Sequence, residues 1–209
     1  MSYAVKEVYY TLQGEGARAG RPAIFARFTG CNLWSGREED RSTAVCKFCD
    51  TDFVGMNGPG GGRFENSEDL ALHIAAKWPD KSRAYVVFTG GEPTLQLDEE
   101  LIEKLHGLDC EVAIETNGTI PAPAGLDWIC VSPKAGSELV QKSGDELKLV
   151  FPQRDAPPHI YEELDFDNFF LQPMAGDNLV HATKMAVDYC LKRPKWRLSL
   201  QTHKLLAIP

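Results

Sequence analysis

The chain has 209 residues, with 22 Lys or Arg against 30 Asp or Glu, a formal net charge of −8. Apolar residues make up 43% and charged residues 25%, too apolar for disorder and ordinary for one globular domain or at most two small ones. The acidic balance argues against nucleic acid as the main partner, because polyphosphate binders carry a basic excess.

The segment from Met1 to Glu7 lacks the basic stretch and apolar core of a secretory signal, and the longest apolar run, 84–88, is far short of a membrane span. No membrane partner is expected. A cytoplasmic location, where thiols stay reduced, is the expectation for the six cysteines. No linker or internal repeat divides the chain, so a single domain over 1–209 is expected.

In chain order, a first β-rich run occupies 22–29. An irregular stretch follows over 32–66. It carries Cys31, Cys46 and Cys49 at or within its borders and a Gly-rich patch, 58–62, expected to be a flexible loop. Ser67 can cap a helix with Leu70, Ala71, Ile74, Ala75 and Trp78 on one face. A continuously apolar strand spans 84–89, as suits burial on both faces of a parallel sheet. Asp98 can cap a second helix, with Leu101, Ile102, Leu105 and Leu108 inward. Strands follow at 111–115 and 128–132, joined by a Pro-rich crossover too short for three helical turns. Further strands fall at 147–151, 169–171 and 197–200. Asp177 is expected to open a third helix before the last of them, with Leu179, Ala182, Met185, Ala186 and Cys190 toward the core. This order, with helices missing, predicts an α/β fold: a partial, abbreviated TIM-like barrel of about six or seven mostly parallel strands and few helices.

The strand ends are more informative than the strands. They read Gly30-Cys31, Gly90-Gly91-Glu92-Pro93, Thr116-Asn117-Gly118, Ser132-Pro133-Lys134, Phe151-Pro152 and Gln172-Pro173-Met174. In parallel α/β proteins the carboxyl ends of the strands build the active site. Cys31-x14-Cys46-x2-Cys49 offers three thiolates. A structural zinc site wants a fourth ligand, and the next candidate, His73, lies beyond the Gly-rich patch. An iron–sulfur cluster held by three thiolates keeps one iron open to a ligand. Cys110, Cys130 and Cys190 sit singly and read as small core hydrophobes.

The three-cysteine cluster followed one strand later by Gly-Gly-Glu-Pro resembles the radical S-adenosylmethionine (SAM) enzymes. Eleven extra residues separate the first two cysteines from the commonest family spacing. Further pieces resemble the 7-carboxy-7-deazaguanine synthase family within that group. They are Leu12-Gln13-Gly14-Glu15-Gly16, Arg27-Phe28, Gly30 to Leu33, Cys49-Asp50-Thr51, Glu115 to Thr119, Ser132-Pro133-Lys134, Leu171-Gln172-Pro173 and Gln201 to Lys204.

The resemblance implies conversion of 6-carboxy-5,6,7,8-tetrahydropterin to 7-carboxy-7-deazaguanine with loss of ammonia, using a [4Fe-4S] cluster, S-adenosyl-L-methionine and Mg²⁺. It implies Cys31, Cys46 and Cys49 as cluster ligands and Thr51 as the Mg²⁺ ligand. SAM would be held by Gly91, Glu115, Ser132, Pro133, Lys134, Gln172, Pro173, Met174 and Ala175, with Glu115 a possible orienting residue. The pterin would be held by Leu12, Gln13, Gly14, Glu15, Arg27, Thr89 and Pro209, with the terminal carboxylate as an acceptor. Partners so implied are a flavodoxin- or ferredoxin-type electron donor and a second copy in a homodimer. The competing readings are a glycyl-radical activating enzyme and a non-catalytic zinc-binding module. His203 falls in a matching segment without an assigned role.

Overall fold

The computed structural model describes residues 2–209. Among these described residues nine strands make one sheet: β1 (Tyr3–Leu12), β2 (Pro22–Phe28), β3 (Gly62–Phe64), β4 (Ala84–Gly90), β5 (Cys110–Thr116), β6 (Trp128–Val131), β7 (Ser143–Phe151), β8 (Asp165–Pro173) and β9 (Trp196–Leu198). Their order is β3-β1-β2-β4-β5-β6-β7-β8-β9. The seven runs expected from the sequence pair in parallel from β2 to β9, which makes the unclosed, partial TIM-like barrel. β1 and β3 are additions the sequence did not signal, and they extend the sheet antiparallel beyond β2. The register of β1 shifts between Val5 and Glu7, so Val5 and Lys6 are both buried and the alternation that marks a strand is lost. β3 is three residues long and leaves no periodic trace.

The α-helices that accompany the strands are α1 (Ser67–Ala75), α2 (Glu99–Gly107), α3 (Leu179–Lys192) and α4 (Thr202–Leu206). The cap of α1 is Asn66, whose side chain accepts from Asp69 N–H at 2.8 Å, one residue before the expected Ser67. Ser67 instead is buried and donates to Glu100 at 2.6 Å, fastening α1 to α2. Asp98 caps α2 as expected, accepting from Leu101 N–H at 3.0 Å, and also receives the Tyr3 hydroxyl at 2.8 Å. α3 begins after Asn178 rather than at Asp177, and no side chain caps it. Ala182 and Ala186 are buried and Met185 and Cys190 half-buried, but Leu179, expected inward, is exposed because it sits in the unpacked first turn.

The outer face of the sheet carries the apolar cores, one with α1 and α2 and one with α3. Each fully buried Leu, Ile or Phe there contributes about 1.5–3 kcal/mol. The inner face is apolar only toward its amino end, around Phe25, Tyr85, Val87 and Ala113. That end is closed by the turn at Gly16–Arg18. The guanidinium of Arg18 lies 4.1 Å over the Trp128 ring, that of Arg21 lies 4.0 Å over Tyr85, and both pair with Glu111.

The patch at 58–62 is not a free loop. Pro59 C=O accepts from Val8 N–H at 2.8 Å, Gly58 N–H donates to Lys6 C=O at 3.0 Å, and a Cβ on Gly61 would fall 2.1 Å from the Lys6 carbonyl oxygen. Its glycines serve close approach to β1.

Candidate active site

Strand alternation points one residue in two at the inner face. At the carboxyl ends most of those residues are polar. Glu7 and Tyr9 of β1, Arg27 of β2, Thr89 of β4, Glu115 of β5, Cys130 of β6, Lys148 and Val150 of β7 and Gln172 of β8 line one cavity of about 340 Å³. That volume lies in the range of small-molecule sites.

The cysteine loop covers the mouth. The fourteen residues between Cys31 and Cys46 fold back on themselves, so that the N–H groups of Val45 and Cys46 donate to Leu33 C=O at 3.1 and 3.3 Å. Buried Leu33 and Trp34 anchor the excursion, Trp34 meeting Phe53 edge-on at 5.6 Å. Arg41 lies 4.0 Å over Trp34 and donates to the carbonyls of Lys47 and Cys49, both at 3.1 Å. The long spacing therefore returns Cys46 to Cys31 instead of separating them.

Each sulfur is met by backbone N–H groups: Cys31 by Leu33 (3.4 Å) and Trp34, Cys46 by Phe48, and Cys49 by Thr51. Such donors suit thiolates bound to iron. The hydrogen bond between Cys46 and Cys49 raises the thiol that donates and lowers its partner, so Cys49 is drawn down to about 6. Burial raises Cys31. Among the described residues no three His, Cys, Asp or Glu side chains converge closely enough to hold a single metal ion. A [4Fe-4S] cluster is held by thiolates, and three cysteines carried on one loop are the chemical donor set for three of its corners.

The Gly-Gly-Glu segment explains how the two loops meet. Gly90 adopts φ +137°, and a Cβ there would lie 2.2 Å from the Phe28 carbonyl oxygen. On Gly91 a Cβ would lie 2.0 Å from the Gly30 oxygen and 2.7 Å from the Cys31 Cβ. Only glycine lets the end of β4 abut the cysteine loop. Glu92 is fully buried and turns away from the cavity, accepting from Thr94 N–H and Oγ1–H (3.0 and 2.7 Å), Thr116 Oγ1–H (2.7 Å) and Asn117 N–H (2.7 Å). It ties the ends of β4 and β5 together.

Beyond β6, Lys134 donates to the carbonyl and hydroxyl of Ser132, both at 2.6 Å. Loss of hydration lowers its pKa, against the opposing pull of Cys46, Cys49 and Glu92. This places a cation beside the thiols, where a ligand carboxylate could sit.

The floor is a charged network. Lys148, 5% exposed at its side chain, pairs with Glu15 at 2.7 Å and with Glu115 at 3.3 Å. Gln13 donates to Glu115 at 2.9 Å and accepts from Glu15 N–H at 3.0 Å, and Gln201 donates to Glu15 at 3.0 Å. Burial would raise the Glu15 carboxyl, but Lys148, Gln201 and His203 outweigh it and hold it at about 2. On the wall, Arg27 is engaged by Glu7 at 2.8 Å and by the Tyr9 hydroxyl at 2.9 Å, so it is a positioned wall residue and not a surface charge.

The expected site residues gather here with few exceptions. Leu12, Gln13, Gly14, Glu15, Arg27, Cys46, Cys49, Thr51, Thr89, Gly91, Glu115, Ser132, Lys134, Gln172, Pro173, Ala175 and Pro209 all line the cavity. Cys31 lies just behind Gly91, Pro133 is buried beneath its neighbours, and Met174 donates its N–H to Phe151 C=O at 2.8 Å; none of these three lines the cavity wall. Cys110 and Cys130 are buried and Cys190 half-buried, all with free thiols, but Cys130 also borders the cavity.

Sequence reasoning missed Glu7, Tyr9, Lys148, Gln201 and His203. The signal for Lys148 was present in Glu146-Leu147-Lys148-Leu149, where charges alternate with leucines inside a strand otherwise expected to be apolar. His203 packs against Gly14, where a Cβ would lie 2.2 Å from its Nδ1.

A three-thiol loop and a glycine-cleared strand end at the mouth of an open parallel barrel define a radical SAM protein. The Radical SAM superfamily model matches residues 41–146, a span that takes in Cys46, Cys49 and the Gly-Gly-Glu segment. The chain is 61% identical to a 7-carboxy-7-deazaguanine synthase of Bradyrhizobium diazoefficiens and 59% identical to one of Caulobacter vibrioides, each match covering 100% of both chains. It is similar in structure to QueE from Escherichia coli, at a TM-score of 0.71 and 29% identity, over 96% of this chain and 94% of that one. The chain belongs to the 7-carboxy-7-deazaguanine synthase family of radical SAM enzymes. Among the described residues no helix is long and apolar enough to cross a membrane.

Proposed function

We propose that the chain converts 6-carboxy-5,6,7,8-tetrahydropterin to 7-carboxy-7-deazaguanine with loss of ammonia, a carbon–nitrogen lyase step of 7-deazapurine (queuosine) biosynthesis in the cytoplasm. The observation that carries this reading is one cavity in which Cys46 and Cys49, with Cys31 just behind Gly91, face a floor of Gln13, Glu15 and Glu115 beside Arg27. When bound, the [4Fe-4S] cluster and S-adenosyl-L-methionine supply a carbon-centred radical able to take hydrogen from the substrate. The protein supplies ligands, orientation and a site shielded from water.

In this assignment Cys31, Cys46 and Cys49 hold the cluster. Gly91, Glu115, Ser132, Pro133, Lys134 and the segment Gln172, Pro173, Met174 and Ala175 hold the methionine and nucleoside parts of SAM. Lys134 faces the carboxylate. Pro133 and Met174 act from beneath, setting the backbone of their neighbours. On the substrate side, Gln13 and Glu15 match the amide and amino edge of the pterin, and Arg27 takes the carboxylate through the guanidinium nitrogen left free by Glu7 and Tyr9. Leu12, Gly14, Thr89 and Pro209 complete the wall.

Thr51 is the proposed Mg²⁺ ligand. Its neighbours Asp50 and Asp52 are engaged by Lys204 and Lys6, while its own hydroxyl makes no hydrogen bond among the described residues. Mg²⁺ keeps several waters and needs few protein ligands, so one hydroxyl plus the substrate carboxylate makes a workable shell. A small flavodoxin- or ferredoxin-type donor and a homodimer complete the proposal. Exposed Val45, Val54 and Met56 beside the cysteine loop suit a docking donor, and exposed Val180 and Leu191 on α3 suit a second copy.

The test is anaerobic incubation of reduced, cluster-loaded protein with the pterin, SAM and Mg²⁺, followed by mass analysis. A deazapurine with released ammonia is the expected result. Formation of 5′-deoxyadenosine without a deazapurine would overturn the substrate assignment.

A further inference from the structure

The roles above leave one charged group of the cavity floor without a task. Lys148 projects from the middle of β7 into the cavity, and among the described residues it is the one cation within ion-pair distance of Glu15 or Glu115. It joins three elements: the β1–β2 loop through Glu15, β5 through Glu115, and its own strand. Glu146, two residues away on the same face, is committed elsewhere, accepting from Ala17 N–H at 2.9 Å and lying 3.5 Å from the Cys130 sulfur.

We propose that Lys148 is a positioning residue for the pterin, fixing Glu15 as an ionised, correctly aimed acceptor for the N–H edge of the substrate. This rests on the pterin reading of the site. A carboxylate presents two acceptor oxygens to the amide and amino hydrogens of a pterin, whereas a protonated carboxyl presents one donor and repels one of them. Burial favours the protonated form, and an adjacent ammonium reverses the balance. Burial works against the charge on Lys148, but the groups facing it, Cys130, Glu115, Glu15 and Glu146, outweigh burial and raise its pKa, so it stays charged over the working range. Lys134, in the loop after β6, is near enough for Lys148 to lower its pKa, and His203 of α4 faces Glu15 from the other side. Neither lies within ion-pair distance of Glu15, so neither replaces Lys148 if it is removed.

A strut that merely holds the barrel together would, when lost, lower activity equally at all pH values. A positioning cation would not. The test is steady-state kinetics at saturating SAM for cluster-loaded wild type, K148M and K148R from about pH 5.5 to 8.5, with E15Q/K148M as control. The wild type and K148R are expected to show no carboxyl ionisation in kcat/KM for the pterin. K148M is expected to raise the pterin KM about tenfold or more at pH 8, a larger rise than in the KM for SAM, which Glu115 serves. It should also acquire a further loss of kcat/KM as pH falls, with a midpoint between about 6 and 8, because a buried carboxyl without a cation titrates several units high. E15Q/K148M should lack that limb.

A K148M profile parallel to the wild type, or a fall in kcat alone at unchanged pterin KM, would overturn the proposal. If K148M does not fold, the wild type decides. A profile flat to pH 5.5 supports the proposal, and a carboxyl limb above that pH overturns it. Absence of any pterin turnover by the wild type would fell the pterin reading and this inference together, whereas turnover with the wrong pH behaviour fells only the inference.

Discussion

Glu92→Gln changes one atom in the middle of the fold and leaves the shape intact. Its carboxylate is fully buried and accepts four hydrogen bonds from Thr94, Thr116 and Asn117. Three donors converge on Oε1 and one, Asn117 N–H, on Oε2. The best placement of an amide keeps its oxygen at the crowded position and turns its NH₂ toward Asn117 N–H. One charge-assisted bond, about 1.5–3 kcal/mol, is lost, and a buried backbone donor is left facing another donor. Relief of the charge-burial cost returns part of this, leaving a loss of about 2–4 kcal/mol. At a urea dependence on the order of 3 kcal/mol/M for a chain of this size, the midpoint should fall by about 1 M. Anaerobic urea unfolding of the cluster-free protein, followed by tryptophan fluorescence, measures it. A shift under about 0.3 M would refute the view that Glu92 binds the ends of β4 and β5 together.

Gly91→Ala places a Cβ 2.0 Å from the Gly30 oxygen, so the cysteine loop must move; iron content after reconstitution should drop well below the wild type, and full loading would contradict the packing argument. Thr51→Ala should weaken the Mg²⁺ dependence of turnover, and an unchanged metal titration would remove Thr51 from the site. Burial would raise the Glu111 carboxyl, but Arg21 and Arg18 hold it at about 2, below the value near 4.3 of an unfolded chain. Its contribution to stability is therefore complete above about pH 4.5 and lost as pH falls toward 2. Glu111→Gln should flatten the decline of the unfolding midpoint across that window, and an unaltered slope would discount the pair.

The parallel strands were legible because each is an apolar run with a punctuated end, and the cysteine and Gly-Gly-Glu motifs lie at two of those ends. β1 was not, because its bulge puts Val5 and Lys6 inward together. The patch at 58–62 read as a flexible loop because glycines that permit motion and glycines that permit contact look alike in sequence. The floor was half legible: Gln13, Glu15 and Arg27 fall in recognisable segments, but Lys148 stands within a strand and its partners come from a loop and a strand far away in the chain. Its role follows from the pairing, which only the curled sheet creates. Cys31 and Cys46 show the converse. Their long separation read only as an irregular stretch, yet buried Leu33 and Trp34 turn it into a compact flap.

The central claim is that three cysteines hold a four-iron cluster with one iron free for a ligand. Mössbauer spectroscopy of protein reconstituted with ⁵⁷Fe, recorded with and without SAM, tests it most directly. The account predicts that about a quarter of the iron signal changes its isomer shift when SAM is added, while the rest keeps the parameters of thiolate-bound sites. Four irons that stay equivalent in the presence of SAM, or a protein that takes up no cluster with its three cysteines intact, would contradict it.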